Sequence, residues 1–242
     1  MKRKKQNVQS VGMSSEKVEL KLDWCSYEAA KYACEHWHYS KCMPVGKTVK
    51  IGVWENKKYI GCIIYSMGAN KALMNPYGLT QFEGCELTRI ALNKHITEVS
   101  RLVRISIAML KKQSPGLKLI VSFADSGHGH IGGIYQAGNW IYTGDTKEEY
   151  EYYYAGRWMH RRSAGSLRGT ISGLEKRGNG FRRRYLMPLD KEIAKQIESL
   201  RKPYPKKTRG GSVTVAQPAI QPERGGSIPT SPQTLSQGVT NE

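Results

Sequence analysis

The sequence predicts an α+β fold, in which one mixed central sheet is flanked by helices. Helical and strand patterns follow each other along the middle of the chain in the order α, β, β, β, α, β, α, β. Residues 117–144 then combine an apolar run of strand length, a polar loop, a short helix and a second strand. A nearly continuous apolar run is expected of a strand that is covered on both faces, so the predicted sheet is buried between layers.

The first half of this core is a helix followed by a hairpin. Residues 27–37 have helical spacing, and Ser26 before them can act as the N-cap. Two strand patterns follow at 50–54 and 59–66, and we expect residues 55–58 to join them as a hairpin. This segment therefore supplies one helix and two antiparallel strands.

The second half contributes two more strands and the strongest helix. The segment CELTRIAL, residues 85–92, has the composition of a strand. Residues 99–112 place their apolar side chains on one helical face, and 114–116, Ser-Pro-Gly, ends that helix. The apolar run of 117–123 follows as the buried strand.

Composition limits the number of domains and the kinds of partner. For 242 residues, one domain with tails is favoured over two domains. The net charge of +18 and the pI near 9.7 favour a polyanionic partner, nucleic acid first and acidic membrane lipid second. No long apolar run and no hydrophobic signal core occur, so we expect a soluble intracellular protein. Five cysteines without a CxxC pair indicate reduced thiols rather than a disulfide framework or a zinc site.

The two ends of the chain differ in composition from its middle. Residues 1–17 carry a cluster of lysine and arginine and are predicted to be a flexible basic arm. Residues 203–242 hold six of the ten prolines and little that could build a core, so we expect a disordered tail. Residues 18–202 are left as the folded domain.

The end of the predicted core has a recognisable order of residues. A short helix at 134–138 stops at Asn139, which tolerates the left-handed conformation, and residues 140–142 resume as a strand. Tyr135 lies five residues before Trp140. This ending resembles the GNAT acetyltransferase superfamily, which implies splayed strands that form a cofactor and active-site cleft, and acetyl-CoA or a related acyl donor. In that superfamily such a tyrosine often protonates the leaving thiolate; the alternative is a core tyrosine hydrogen-bonded to the backbone.

A coenzyme-A donor would need a place for its diphosphate. The N-terminus of the helix at 99–112 offers free backbone N–H groups and a favourable dipole, and Thr97, Ser100 and Arg101 lie there. The superfamily usually carries a glycine-rich turn at this point, whereas LNKHITEVSRLV contains no glycine. Arg101 and Arg104 are equally consistent with solvent-facing charges.

The core as a whole resembles the Mom family of bacteriophage DNA-modification proteins, over about residues 20–205. The matching motifs, in order, are WHYSKCMPVGK, KIGVWENKKYIGCIIYSMGAN, CELTRIALNKH with VSR, SFADSGHGHIGGIYQAGNWIYTG, HRRS, GT and YLMPL. The resemblance implies an enzyme in the host cytoplasm that converts the exocyclic amino group of adenine in double-stranded DNA to a methylcarbamoyl-type adduct. Such an adduct shields phage DNA from host restriction. Acetyl-CoA and an iron ion are implied as cofactors.

This chemistry suggests four candidate catalytic residues. The amino group of a purine is a poor nucleophile, so a catalyst must take its proton or polarise the donor. Glu86 lies inside an apolar strand and Asp125 ends the next strand, so either could be the general base. Tyr135 and Tyr39 complete the set; the alternative for the two acids is that they are surface carboxylates.

A metal site is the second candidate. His38 and Tyr39 match the His-Tyr pair of the family, and with Asp125 they could give a nitrogen and oxygen donor set suited to iron. His128 and His130, flanked by glycines, are alternative ligands or phosphate contacts, and they are equally consistent with simple loop histidines.

Residues 157–185 carry the signal for DNA binding. Nine basic residues face one acid, Glu175, and aromatic residues such as Trp158 and Phe181 lie among them. Arginine mixed with aromatic residues suits phosphate contact and stacking on an extruded base; the alternative is a solvated basic face. The basic residues are Arg157, Arg161, Arg162, Arg168, Lys176, Arg177, Arg182, Arg183 and Arg184.

Two other functions remain open at the level of sequence. One is a conventional N-acetyltransferase that acts on a small amine or a protein. The other is a DNA-binding module that kept the fold and lost catalysis. The sequence also leaves the oligomeric state open, with a homodimer among the options.

Overall fold

A computed structural model of the chain describes residues 18–68 and 70–206. The predicted basic arm, residues 1–17, and residues 207–242 of the predicted tail lie outside the described residues. Within the described part, no helix is long and apolar enough to cross a membrane.

The described residues form five α-helices and ten strands. The helices are α1 Tyr27–Trp37, α2 Val99–Gln113, α3 Gly133–Ala137, α4 Arg161–Arg168 and α5 Lys191–Glu198. The strands are β1 Leu20–Trp24, β2 Thr48–Glu55, β3 Lys58–Ser66, β4 Gly84–Leu92, β5 Leu119–Asp125, β6 Ile141–Asp145, β7 Tyr150–Tyr154, β8 Arg157–His160, β9 Lys176–Gly178 and β10 Arg182–Pro188.

Seven of these strands form a mixed central sheet in the order β1-β2-β3-β4-β5-β10-β6. Strands β4 and β5 pair in parallel, and every other neighbouring pair in this sheet is antiparallel. A second sheet has three strands in the order β8-β7-β9. The mixed sheet with helices on its faces confirms the predicted α+β class.

Helices cover both faces of the central sheet because its strands alternate between two apolar sides. On one side, Ile63 and Ile120 pack with Leu102 of α2 and with Tyr135 of α3. On the other side, two clusters form under α1 and α5. The buried members of these two clusters include Ala30, Ala33 and Cys34 from α1, Cys62 and Ile64 from β3, Leu119 and Val121 from β5, and Ile193 and Ile197 from α5.

The first part of the predicted element order is confirmed. Helix α1 has the predicted bounds, and the Ser26 hydroxyl accepts the N–H of Ala29 as its N-cap. The hairpin turn is shorter than predicted, since β2 reaches Glu55 and only Asn56 and Lys57 connect it to β3. Both turn residues have positive φ, +49° and +65°, as in the two-residue turns that match the twist of a hairpin.

The prediction missed one strand at the start of the domain and almost everything after β6. Strand β1 is a short edge strand, so it shows little periodicity of its own. Strand β10 lies between β5 and β6 in the central sheet, although Arg182, Arg183 and Arg184 give it the appearance of a basic loop. Tyr185 and Leu186 show that β10 is a strand of the core, because both are fully buried.

The left-handed backbone at Asn139 allows a direct test of how α3 connects to β6. Asn139 has φ +58°, as its role as the helix stop predicts. We expect Asn139→Gly to keep the free energy of unfolding within about 0.5 kcal/mol of wild type, because glycine adopts this conformation without strain. Asn139→Val should lower it by about 1–2 kcal/mol. Urea denaturation of both variants checks this, and equal stabilities would contradict it.

Candidate functional site

The pairing between β4 and β5 stops halfway along both strands. Residues 84–87 of β4 pair with 119–122 of β5, but β4 continues to Leu92 and β5 to Asp125. Just beyond Leu87 the register of β4 against β3 shifts, which places a bulge at Thr88. A bulge bends its strand, so the two strands diverge from this point. The predicted splay is therefore confirmed.

A cleft of about 620 Å³ opens between the diverging strands. Its walls come from the end of α1, the second half of β4, the end of β5, and the loop that leads into α3. The lining residues are Trp37, His38, Tyr39, Thr88, Arg89, Ile90, Phe123, Ala124, Gly129, His130, Ile131, Gly132, Gly133, Ile134 and Tyr135.

Tyr135 lies at the base of this cleft, with 7% of its surface exposed. Its hydroxyl oxygen is 2.7 Å from the hydroxyl of Ser122, and the Ser122 hydroxyl is 2.8 Å from the carbonyl of Leu87. A carbonyl only accepts, so when the single Ser122 proton goes to Leu87, the Tyr135 hydroxyl donates to Ser122. Burial raises the pKa of Tyr135 to about 12, against the opposing effect of Ser122. Tyr135 therefore keeps its proton at neutral pH.

A cluster of aromatic and imidazole rings borders the cleft: Tyr39 and His130 line it, whereas His128 and Asp125 lie next to them and are not among the lining residues. The Tyr39 ring, 43% exposed, lies 4.3 Å from the ring of His128 and 5.2 Å from that of His130. The Asp125 carboxylate oxygen Oδ2 is 3.2 Å from Nδ1 of His128, and its Oδ1 accepts the N–H of Gly127. Desolvation raises the pKa of Tyr39, and the Asp125 carboxylate raises it further. The structure thus brings Tyr39, Asp125 and both loop histidines together.

His38 borders the same cleft but is nearly buried, with 8% of its surface exposed. Burial lowers its pKa to about 3, and the Arg89 guanidinium contributes to the same shift, so the ring is neutral near pH 7. Its Nδ1 accepts the backbone N–H of Ser40 at 3.1 Å. A nitrogen that accepts carries no proton, so the proton of the neutral ring is on Nε2.

Arg89 and Ser122 are residues of this site that the sequence analysis missed. Arg89 lines the cleft, and its Nη1 donates to the carbonyl of Thr88 at 2.9 Å. Its Nε is buried and has no hydrogen-bond partner among the residues that the structure describes. Ser122 had a signal in the sequence, since it is a polar residue within a largely apolar strand, and Arg89 had one as a charged residue in a strand pattern.

Glu86 lies outside the cleft. It belongs to the part of β4 that is still paired, opposite Ser66 of β3 and Val121 of β5, and its side chain lies close to Gly68. The structure therefore does not bring Glu86 and Asp125 together on one cleft, as the sequence analysis expected. The charge of Glu86 contributes only a minor part of the raised pKa of Tyr135.

The predicted diphosphate site at the start of α2 borders a second cavity of about 610 Å³. Ser100 and Arg101 line this cavity together with Glu98 and Arg104. Thr97 does not line it. Its backbone N–H donates instead to the carboxylate of Glu55 at 2.7 Å.

The predicted iron site is not supported. Within residues 18–68 and 70–206, no group of three or more His, Cys, Asp or Glu side chains is placed to hold a metal ion. Of the predicted ligands, His38 uses its Nδ1 lone pair for Ser40, and Asp125 contacts His128 instead. The donor set of His38, Tyr39 and Asp125 therefore does not fit a metal centre.

The predicted DNA-binding segment divides into two structural parts. The first part is the second sheet with α4, and it keeps its basic side chains exposed. Its members are Arg157, Arg161, Arg168, Lys176 and Arg177; the side chain of Arg162 lies outside the described part of the chain.

Aromatic rings lie among the exposed basic residues of the second sheet. The Arg177 guanidinium lies 4.4 Å from the ring centre of Trp158 and also pairs with Glu151 at 2.8 Å. The Lys176 ammonium lies 5.1 Å from the ring centre of Tyr150. This surface therefore has the mixture of cations and rings that the sequence predicted.

The second part is β10, whose three arginines are half-buried and engaged within the protein. Arg182 pairs with Glu149 at 2.9 Å, and Arg183 donates to the carbonyl of His130 at 2.9 Å. Arg184 lies over the ring of Phe123. These side chains bind protein groups, and they differ in this from the exposed arginines of the second sheet.

The second sheet is attached next to the cleft. Between β9 and β10, the N–H of Phe181 donates to the Ser126 hydroxyl at 2.8 Å, and the N–H of Ser126 donates to the carbonyl of Phe181 at 3.0 Å. Ser126 directly follows Asp125. The basic sheet and the turn that carries the Asp125–His128 pair are therefore neighbours.

Comparison with known proteins gives two kinds of similarity. The methylcarbamoylase mom of Escherichia phage Mu is 25% identical over 214 residues, which cover 82% of this chain and 88% of that protein. A putative acetyltransferase from Acinetobacter baylyi ADP1 is similar with a TM-score of 0.41 at 10% identity, over 72% of this chain and 94% of the other. A Bacillus subtilis acetyltransferase in complex with CoA gives a TM-score of 0.39 at 11% identity, over 72% of this chain and all of the other.

The sequence model of one family matches nearly all of the described residues. It matches residues 19–206, which contain both sheets, the cleft between β4 and β5, and the cluster around Tyr39. The motifs that suggested the resemblance therefore belong to one continuous match. This chain belongs to the Mom protein family.

Proposed function

We propose that this chain modifies the exocyclic amino group of adenine in double-stranded DNA and leaves a methylcarbamoyl-type adduct. The reaction would protect phage DNA from restriction in the host cytoplasm. Membership of the Mom family and the similarity to a methylcarbamoylase support the reaction class. The structural observation that carries the proposal is the half-exposed ring of Tyr39 next to the imidazoles of His128 and His130, at a cleft beside a basic sheet.

The ring cluster suits an extruded purine. An adenine within a duplex cannot reach a cleft, so it must be flipped out at a cost of a few kcal/mol. Stacking on aromatic side chains offsets about 1–3 kcal/mol per base, and Tyr39, His128 and His130 offer such a surface. The cleft volume of about 620 Å³ can hold a base together with a small acyl group.

We assign the removal of the amino proton to His128. Its Nδ1 faces the Asp125 carboxylate, so the ring is oriented with Nε2 available to accept a proton. Asp125 then stabilises the imidazolium that forms. Asp125 is thus a positioning residue in this proposal, and Tyr39 holds the base against the imidazole.

Three further groups can act on the donor. His38 presents a neutral ring with its proton on Nε2, and Arg89 lines the cleft with a guanidinium that has N–H donors besides the one bound to Thr88. Both can donate hydrogen bonds to a carbonyl oxygen as negative charge develops on it. Tyr135 holds a proton above neutral pH, and it can give this proton to a leaving group in the cleft when the Ser122 hydroxyl donates to Tyr135 instead of to Leu87. We assign Glu86 no contact with substrate.

An acyl-CoA or a related acyl donor fits the cleft in part. When bound, such a donor would supply an activated carbonyl group, and the transferred group must already carry the nitrogen of the adduct, because a plain acetyl group would leave an acetamide. The space between β4 and β5 can take its acyl end, and Ser100 and Arg101 border the second cavity at the start of α2. The turn that precedes α2 fits less well, because the Glu55 carboxylate is bound there.

The second sheet and α4 would make the contact with the DNA backbone. The exposed basic residues of the second sheet and α4 would follow phosphates, and Trp158 and Tyr150 would stack or support cations. Among the arginines of β10, Arg183 would instead hold the loop at the cleft through the carbonyl of His130. A conventional N-acetyltransferase needs no such basic sheet, and a pure binding module needs no oriented Asp125–His128 pair.

Modification of DNA in cells tests the reaction. We expect a deoxyadenosine species heavier by the methylcarbamoyl increment in plasmid DNA from cells that express the chain. Asp125→Asn keeps an oxygen for the N–H of Gly127 but loses the charge that orients His128, so the product should fall roughly 100-fold or more. Mass spectrometry of digested nucleosides measures this, with Glu28→Gln on the exposed face of α1 as control.

The same assay separates the alternatives. Unmodified nucleosides from folded wild-type protein would overturn the proposed reaction and favour the binding module or another acceptor. Wild-type levels of product from Asp125→Asn would remove the Asp125–His128 pair from catalysis. A binding module would also keep its biological effect in this variant.

Salt dependence of DNA binding tests the assignment of the second sheet. We expect Arg157→Ala with Arg161→Ala to weaken binding and to reduce the slope of log K against log salt by about 2, if each arginine neutralises one phosphate. Titrations at several salt concentrations measure the slope. Lys58→Ala with Lys112→Ala removes the same charge from exposed positions elsewhere and should leave the slope nearly unchanged. Equal slopes for both double variants would contradict the assignment.

The neutral state of His38 makes stability depend on pH. Between pH 3 and the ordinary value of 6.5, the unfolded chain binds a proton that the folded ring does not. The free energy of unfolding should therefore fall as pH decreases through this window, by up to about 1.4 kcal/mol per pH unit from this group. His38→Gln should flatten the slope. Urea denaturation from pH 4.5 to 7 checks this, and parallel curves for both proteins would show that His38 titrates normally.

A further inference from the structure

The turn between β4 and α2 contains a carboxylate from another strand. Glu55, the last residue of β2, accepts the N–H of Ile96 with Oε2 at 2.8 Å and the N–H of Thr97 with Oε1 at 2.7 Å. Both oxygens of this side chain are therefore bound to the backbone. Two adjacent N–H groups before a helix are the kind of donor that binds a phosphate in other proteins. Here they bind an internal anion.

The Glu55 carboxylate is fixed in its charged form. Only 5% of the residue is exposed. Burial alone would raise its pKa, but the hydrogen bonds from Thr97 and Ile96 outweigh burial and hold the pKa below its ordinary value. The negative charge is therefore present throughout the neutral range, within the turn that a diphosphate would otherwise use.

The first turn of α2 has few free backbone N–H groups that could replace those of Ile96 and Thr97 in binding a diphosphate. The N–H groups of Arg101 and Leu102 both donate to the carbonyl of Glu98. Among the described residues this leaves the N–H groups of Val99 and Ser100, next to the carboxylate-bearing Glu98 at the N-cap. A second negative charge at this end of the helix further opposes an incoming diphosphate.

The positive charges that border the second cavity at the start of α2 belong to side chains. Arg101 and Arg104 are exposed and border the second cavity with Glu98. Exposed guanidinium groups attract any anion through a screened interaction and do not select a diphosphate as a set of backbone N–H groups does.

We infer that Glu55 is a specificity-determining residue that closes the Ile96–Thr97 turn to a diphosphate. The acyl donor is then selected by its acyl end, which enters the cleft between β4 and β5. Its nucleotide diphosphate is not bound to the N–H groups of Ile96 and Thr97. That the chain uses an acyl donor rests on the proposed function, whereas the closure of the turn does not.

Binding of inorganic pyrophosphate to the wild-type chain tests the inference directly. We expect the backbone amide resonances of Ile96 and Thr97 to keep their positions in NMR spectra as pyrophosphate is added. Shifts confined to residues around Arg101 and Arg104 would also support the inference, because they would show anion contact through side chains only. Saturable shifts at Ile96 and Thr97 would overturn it.

A variant that opens the turn gives the second measurement. Glu55→Ala leaves two N–H groups without their acceptor, so it should melt at a lower temperature than wild type. Acetate or pyrophosphate should restore part of the loss, and pyrophosphate should bind at least about tenfold more tightly than to wild type. Glu28→Ala, which removes an exposed carboxylate, should show neither effect.

The two measurements cover the case of an unstable variant. A folded Glu55→Ala chain that gains no affinity for pyrophosphate would overturn the inference, and if the variant does not fold, the wild-type titration decides alone. Neither measurement contains DNA or depends on turnover. A failure here is therefore distinguishable from a failure of the proposed reaction, which the nucleoside assay measures.

Discussion

The parallel pairing of β4 with β5 is the constraint on which the site depends. Four residue pairs hold the two strands together, and the bulge at Thr88 then turns β4 away from its neighbour. The Ser122 hydroxyl bonds to the carbonyl of Leu87 at the last paired position, and Tyr135 of α3 binds the same hydroxyl. A side-chain network thus takes over where the backbone ladder ends. Without it, buried polar groups of the open strands would lack partners, which is costly in a sheet centre.

Strand β10 connects the basic part of the chain to this opening. It fills the space between β5 and β6, and its register sets Arg182 opposite Asp125. From there Arg183 reaches the carbonyl of His130 and fastens the histidine-bearing loop. Within the described chain, the Nε atoms of Arg182, Arg183 and Arg184 are buried without hydrogen-bond partners. Placing three arginines in a central strand has an energetic cost, and for Arg183 the hold on the loop is a functional reason for it.

How far the sequence predicted this molecule differs from element to element. Strong helical periodicity gave the bounds of α1 and α2 to within a residue, because long amphipathic patterns are little affected by context. Periodicity could not assign β10, because a strand that begins with three arginines shows no alternation of apolar and polar residues. Only its position between β5 and β6 reveals it as a strand. The sequence singled out Tyr39, Asp125 and Tyr135 as candidates, and it grouped Tyr39 and Asp125 as metal ligands rather than with His128. The partnership of Asp125 with His128 is local and depends on the conformation of the turn after β5. The places of Arg89 and Glu55 depend on how distant strands meet.

Two carboxylates at the ends of strands show how the same chemical group acquires different uses in one fold. Glu55 gives both oxygens to backbone N–H groups, at 2.7 and 2.8 Å, and nothing is left for a substrate. Asp125 gives only Oδ1 to the N–H of Gly127, and Oδ2 faces His128. The first arrangement fixes a turn and fills an anion position; the second fixes a turn and still orients an imidazole. The number of oxygens that the backbone takes, rather than the type of residue, therefore separates a structural acid from one that can serve in catalysis.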